Sequence, residues 1–248
     1  MDVQARAATD IGLKRSMNED RYGLWLPEER VVRERRGVLL VIADGMGGAR
    51  AGEVASQTAV EKVLESYREA QGEPLEDLHV AMIAANHAVH NQSLLHPELS
   101  GMGTTLTALV LRGSGAFLAH VGDSRAYLVR GGGARQLTMD HSLVAQLMRA
   151  GHLTPEEARV DPRRNVVTRS VGAAPVVQAD VTALAEPLRA GDTLLLTTDG
   201  LHGLVSDEEL GAAASDPDLD AICARLVALA RQRGGPDNIT VVVARIGS

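Results

Sequence analysis

The chain has 248 residues, a formal net charge of −7, 45% apolar residues and one cysteine. The apolar fraction excludes a disordered chain, the lone Cys223 excludes a disulfide scaffold, and the acidic balance argues against nucleic acid as the main partner. The longest apolar runs, such as Val38 to Ala43, fall far short of a membrane span, and residues 1 to 15 lack the apolar core of a signal peptide, so we expect a soluble, cytoplasmic protein without a membrane partner.

Short β-branched or apolar runs bounded by Gly, Asp or Pro predict strands. The first is Tyr22–Leu26; a run of Arg33, Arg35 and Arg36 around Glu34 follows and reads as a solvated loop. After a strand at Val38–Ala43 come two stretches of helical spacing. Glu53–Glu69 sets Val54, Ala55, Thr58, Val63 and Tyr67 toward one face, and Leu75–Leu95 does so with Leu78, Met82, Ala85 and Val89. Strands at Thr104–Leu111, Ala116–Val121 and Ala126–Val129 lead to a polar segment, Met139 to Asp161, that reads as a flap of short helices. A strand at Thr193–Thr198, a helix at Leu219–Arg231 that stops at Gly234-Gly235-Pro236, and a strand at Ile239–Ile246 close the chain. Strands that arrive in runs favour an α+β fold, with helices covering antiparallel sheets, over a regular βαβ alternation. Aromatics make up 2% of the chain, so Val, Leu, Ile and Ala must build the core.

The informative feature is where the aspartates fall. Asp44, Asp123, Asp199 and Asp237 each sit at the end of a predicted strand or open one, and three of them are followed or preceded by Gly. One Asp-Gly after a strand is usually a turn. Four acids that converge would repel one another unless a hard divalent cation neutralised them, and an all-oxygen ligand set selects Mg²⁺ or Mn²⁺ over zinc. Just before the first predicted strand, Arg15-Ser16-Met17-Asn18-Glu19-Asp20 places a guanidinium beside two acids. It reads either as a solvated turn or as an arginine fork for phosphate next to acids that act on cation-held waters.

Other motif readings fail on chemistry. Gly45-Met46-Gly47-Gly48 follows a strand, but a Walker loop needs Lys after its last Gly, where Glu53 stands, and a dinucleotide fingerprint needs Gly at Arg50. His87 and His90 lack the H-E-x-x-H context, and no G-x-S-x-G elbow is present.

Taken together, eight blocks in order resemble the metal-dependent protein serine/threonine phosphatases, the type 2C or PPM family, in their compact bacterial form. They are R-S-M-N-E-D, V-I-A-D-G-M-G-G with A-G-E-V-A-S, M-G-T-T-L, V-G-D-S-R-A-Y, L-T-M-D-H-S, V-T-R-S-V-G, L-L-L-T-T-D-G-L and G-G-P-D-N-I-T-V, spread from about Gln4 to Ile246. The resemblance implies one catalytic domain over residues 1–248 with a flap at about 139–168, built as a four-layer α/β/β/α sandwich of two antiparallel sheets flanked by helices.

By position, it also implies that Asp44 bridges two tightly held Mn²⁺ or Mg²⁺ ions and that the Gly45 carbonyl binds one of them. Asp199 and Asp237 would bind the other, with Glu19 and Asp20 acting through waters. Asp123 with Asp199 would hold a third, weaker ion, and Arg15 would hold the substrate phosphate, while Asn238, Gly103, Thr104 and Ser124 shape the site. The implied reaction is hydrolysis of phosphoserine and phosphothreonine in proteins by metal-activated water, with Ser/Thr kinases or their substrates as partners and the chain itself a monomer.

The family's eukaryotic members often carry His after the bridging Asp-Gly; here Met46 stands there and has no proton to donate. His141 is then a candidate acid, set against a structural role. Three rival functions are weaker. A binding-only pseudophosphatase should have lost a ligand, a phosphatase dedicated to one partner-switch protein would need a diffusing substrate, and a small-ester hydrolase should show a closed pocket signature.

Overall fold

The computed structural model describes residues 2–48 and 51–247; Arg50 lies outside them. One antiparallel sheet has the order β1-β11-β10-β7-β8, formed by Val3–Asp10, Ile239–Ile246, Thr193–Thr197, Arg125–Arg130 and Gly133–Gln136. The other runs β2-β3-β5-β6-β9, from Asp20–Trp25, Val38–Met46, Leu106–Arg112, Gly115–Val121 and Asp180–Ala183, and the two-residue β4 (Gly103–Thr104) pairs with β3. Helices α2 (Ala51–Glu69) and α3 (Pro74–Leu95) cover the second sheet; α6 (Asp199–His202), α7 (Asp207–Ala213) and α8 (Leu219–Gln232) cover the first. The expected four-layer α/β/β/α sandwich is the observed one.

Strand periodicity explains the layering. Along β3, Leu39, Val41 and Ala43 point into the core beneath α2 and α3, while Val38, Leu40 and Ile42 point into the core between the sheets. Along β11, Ile239, Val241 and Val243 pack under α8, and Val242, Ala244 and Ile246 face the opposite sheet. A strand buried on both faces has no polar side to show, which is why these runs are continuously apolar. Leu78, Met82, Ala85 and Val89 are all fully buried on α3, as the helical spacing predicts.

Three expectations need correction. Residues 30–36 are not a solvated loop: they form helix α1 (Arg30–Arg36), and Arg36 is buried. Its guanidinium donates to Asp77 at 2.6 Å and to the Tyr67 carbonyl at 2.6 Å, and it lies over the Tyr67 ring. The predicted strand at Thr104–Leu111 is broken at Thr105, whose hydroxyl and amide both turn to Asp44. Finally β1, β8 and β9 were not expected as strands; all three lie at or beside sheet edges. The flap does hold short helices, α4 (Leu143–Arg149) and α5 (Pro155–Val160). Among the described residues, no helix is long and apolar enough to cross a membrane.

Candidate active site

Strand register brings the predicted acids to one end of the sandwich. The start of β2 pairs with the end of β3, so Asp20 lies opposite Asp44. The end of β10 pairs with Val241 of β11 and with Arg125 of β7, which sets Asp199 beside both Asp237 and the Gly122-Asp123-Ser124 corner. Acids separated by more than 200 residues of chain therefore share one end of the sandwich.

The local backbone has little freedom there. A Cβ on Gly45 would stand 2.0 Å from the Gly52 carbonyl oxygen and 2.8 Å from that of Glu19, so only glycine lets β3, β2 and the start of α2 meet. The Asp44 amide donates to the Thr105 hydroxyl at 2.9 Å, and its carbonyl accepts from the Thr104 hydroxyl at 2.8 Å. Asn238 accepts from the Glu19 amide at 2.8 Å and donates to the carbonyls of Ile11 and Met17, which anchors the loop that carries Arg15. Ser124 bonds the Thr105 hydroxyl at 2.7 Å. The structure thus gives Asn238, Thr104 and Ser124 the shaping contacts expected of them; Gly103 lies against Ser170 and Val171.

The electrostatics are those of crowded like charges. Asp20 is buried, and its Oδ2 accepts from the hydroxyls of Thr198 at 2.8 Å and Thr240 at 2.6 Å. Burial still pushes its carboxyl up to about 7, with Asp199 and Asp237 adding repulsion against the two hydroxyls. Asp123 is likewise pushed up to about 7, by burial and then by Asp199. Burial raises Asp44 well above the usual carboxylate range, and the charges of Asp20, Asp199 and Asp123 raise it further. Asp199 is raised by burial and Asp237, and Glu19 by burial most of all. Arg15 donates to Asp237 at 2.7 Å and lies 4.0 Å from Glu19.

Among the described residues, Arg15 is the one guanidinium paired with any of these six acids. Three buried carboxylate oxygens, Glu19 Oε1, Asp20 Oδ1 and Asp199 Oδ1, have no hydrogen-bond partner among the described residues. Buried acceptors are normally satisfied, and a carboxylate can accept nothing but a donor or a cation. An all-oxygen set with free lone pairs fits Mg²⁺ or Mn²⁺. Among the described residues, no three acids close on a single point tightly enough to chelate an ion; Asp237 is bonded to Arg15, and Asp20 to two threonine hydroxyls.

The His141 ring turns to other work. Its Nδ1 accepts from the Gly122 amide at 3.1 Å and its Nε2 faces Asp180 Oδ2 at 3.1 Å, so both nitrogens are engaged. Of the two roles open to it from the sequence, the structural one is the one the geometry favours. His90 bonds the Gly172 carbonyl through Nδ1, a packing contact. The sequence does not single out the hydroxyls of Thr105, Thr198 and Thr240, although all three stand within the blocks M-G-T-T-L, L-L-L-T-T-D-G-L and G-G-P-D-N-I-T-V.

Comparison with known proteins gives the family. The sequence profile described as Protein phosphatase 2C matches residues 14–240. Serine/threonine protein phosphatase PstP of Mycobacterium tuberculosis is 42% identical over 241 residues, which cover 97% of this chain and 44% of PstP, so the chain spans less than half of that relative. Protein phosphatase PhpP of Streptococcus pneumoniae is 38% identical over 241 residues, covering 95% of this chain and 94% of PhpP. A crystal structure of the PstP catalytic domain in complex with two manganese ions superposes with a TM-score of 0.85 at 39% identity, covering 99% of each chain. The chain belongs to the protein phosphatase 2C family.

Proposed function

We propose that this chain hydrolyses phosphoserine and phosphothreonine in proteins with the help of Mn²⁺ or Mg²⁺, as one catalytic domain over residues 1–248 with its flap at 139–168. The observation that carries the reading is the set of carboxylate oxygens on Glu19, Asp20 and Asp199 that have no partner among the described residues, next to Asp44 and the Arg15 fork. The two manganese ions in the PstP catalytic domain support it, because they belong to a chain matched end to end.

Asp44, Asp199 and Asp237, with the Gly45 carbonyl, would hold two cations, Glu19 and Asp20 would act around them, and Asp123 with Asp199 would hold a third, weaker one. Bound there, Mn²⁺ or Mg²⁺ lowers the pKa of water toward neutrality and offsets charge on phosphoryl oxygens. This chain's residues do the rest. Thr198 and Thr240 keep Asp20 directed inward through its Oδ2. Thr105 and Thr104 fix the backbone of Asp44 from either side. Arg15 is half exposed and engages Asp237 through Nη2, which leaves further donors of its planar fork for the oxygens of a phosphate. Neither Met46 nor His141 has a proton to give a departing serine: the thioether carries none, and the Nε2 proton of His141 is directed at Asp180.

The partners that fit are phosphorylated proteins, namely Ser/Thr kinases or their substrates, met by a monomer in the cytoplasm with no role for nucleic acid. The test is hydrolysis of phosphoserine, phosphothreonine and phosphotyrosine peptides by the purified protein in Mn²⁺, Mg²⁺ or EDTA. Release of phosphate from the first two with Mn²⁺ or Mg²⁺, and none in EDTA, is expected; full activity in EDTA, or Zn²⁺ as the best activator, contradicts the reading.

A further inference from the structure

Behind Asp123 lies a clasp that the reaction as described does not use. His141 is 3% exposed and joins three segments. Its backbone amide donates to the Gly122 carbonyl at 2.7 Å, and the Gly122 amide donates back to its Nδ1 at 3.1 Å. Its own carbonyl accepts from the Thr168 amide at 2.7 Å. Both ends of the flap are therefore fastened to the corner that precedes Asp123.

The tautomer follows from these contacts. Nδ1 accepts, so the proton of the neutral ring sits on Nε2 and points to Asp180 Oδ2 at 3.1 Å. Arg169 Nη1 donates to the other oxygen of Asp180 at 3.1 Å and completes the anchor; it also stands 3.3 Å from His141 Nε2, where two donors meet and make no hydrogen bond. Burial, and then the charge of Arg169, pull the His141 ring below its ordinary pKa against the bond to Asp180, which keeps it neutral.

Gly122 needs such a clasp. Its φ is +108°, and a Cβ there would stand 2.6 Å from Thr105, so the turn is glycine-only and lies flush on the residue that carries the Asp44 amide. On the far side of the corner, the Asp123 carbonyl bonds His202 Nε2 at 3.0 Å. Among the described residues, no side chain donates to the Asp123 carboxyl; its own backbone amide does, so its direction rests on the backbone gripped at these two points.

We propose that His141, with Asp180 behind it, is a positioning residue that holds the Gly122 corner so that the Asp123 carboxylate faces Asp199. This rests on the reading of Asp123 as a ligand of the weaker cation. It assigns His141 no contact with substrate, and it makes the flap and that cation site mechanically continuous.

The test uses Mn²⁺ alone as probe, counted by the electron paramagnetic resonance of the free ion, together with amide hydrogen exchange at Gly122. His141→Ala should weaken the third Mn²⁺ roughly ten- to a hundredfold, the usual scale for outer-shell partners, leave the two tighter ions within about twofold, and speed exchange at Gly122. His141→Asn keeps a carbonyl acceptor for the Gly122 amide and should recover much of both effects. Asp180→Ala, at a half-exposed site, should weaken the third ion less than His141→Ala does. Unchanged third-site affinity and Gly122 exchange in His141→Ala would overturn the role of His141. So would equal losses at all three sites in both His141 variants with a lowered Tm, because that pattern is general loosening. Wild-type protein that takes up only two Mn²⁺ would overturn the weaker-cation reading of Asp123 itself, an outcome distinct from either of these.

Discussion

Strand β3 has a charged site at each end, and the two obey opposite rules. At its start, Arg36 and Asp77 are 6% and 8% exposed and bonded at 2.6 Å. Further bonds run from Arg36 to the carbonyls of Tyr67 and Gly72, and the Tyr67 hydroxyl donates to the Arg36 carbonyl. At its far end, Asp44 stands among Asp20, Asp123, Asp199 and Asp237, with Arg15 on Asp237 and three carboxylate oxygens without partners among the described residues. A buried charge that is paired and hydrogen-bonded fastens structure; buried like charges left unpaired work against folding and mark a binding site. The same strand thus carries a structural lock and a site strained toward a ligand.

The comparison breaks if substitutions at the two ends have the same consequences. The largest effect should come from Asp44→Asn. Losing several kcal/mol of charge stabilisation at the reacting centre should lower phosphopeptide turnover by roughly a thousandfold or more. Thermal unfolding of the chelated variant should nevertheless match or exceed wild type, because a repulsion has been removed. Asp199→Asn and Asp237→Asn should lose turnover in the same way.

Asp77→Ala should do the reverse. Stranding the Arg36 guanidinium in a buried site should lower stability by about 3–5 kcal/mol in denaturant titration. Turnover per folded molecule should stay at the wild-type level; a parallel loss of activity would mean that the two ends of β3 are coupled.

The pH dependence separates the ends again. Asp20 and Asp123 titrate near 7 in the folded chain, far above an unfolded aspartate near 3.9. Between those values the native state binds more protons than the unfolded one, so stability falls as pH rises. Without metal, the contribution of these two acids should therefore decline from about pH 4 to about pH 7 and level off above, against the opposite contribution of His120 and His202, which burial pulls down to about 4 and about 3. Asp20→Asn should flatten that slope. The Tm of Asp20→Asn relative to wild type should grow from about pH 4 to about pH 7 without metal; a difference that shrinks across the window would refute the crowded-acid description.

Smallest is the effect of Arg15. Arg15→Ala should raise KM for a phosphopeptide about tenfold, the equivalent of one charge-assisted hydrogen bond, with a lesser loss in kcat. Arg15→Lys should recover only part of it, since a point charge cannot make the bidentate contact. An unchanged KM in both variants would leave Arg15 as nothing more than the partner of Asp237.

Legibility in the sequence followed burial. Val38–Ala43 and Thr193–Thr198 announce themselves because strands covered on both faces must be apolar throughout. β1 was hidden because Val3–Asp10 interleaves small and charged residues along a sheet edge, its burial alternating only over the first residues. α1 was hidden because V-V-R-E-R-R spells a solvated face, and only the fold supplies Asp77 and Tyr67 to receive Arg36. At the site, Asp44, Asp123, Asp199 and Asp237 could be singled out because turn acids at strand ends are a local pattern. Their convergence, the threonines that hold Asp20, and the bond that commits His141 to Asp180 depend on register between distant strands, which no local pattern encodes.

The central claim is that the unpaired acids at the end of β3 are built for divalent cations, and thermal unfolding near pH 7.5 tests it most directly. Mn²⁺ at about 100 times its dissociation constant adds about 2.7 kcal/mol per site, about 5.4 for the two tight sites, so wild-type Tm should rise by about 10–20 °C over its value in EDTA. Asp44→Asn should show little response to Mn²⁺ and, in EDTA, a Tm at or above that of wild type. A wild-type Tm indifferent to Mn²⁺, or an Asp44→Asn protein less stable than wild type in EDTA, would contradict the claim.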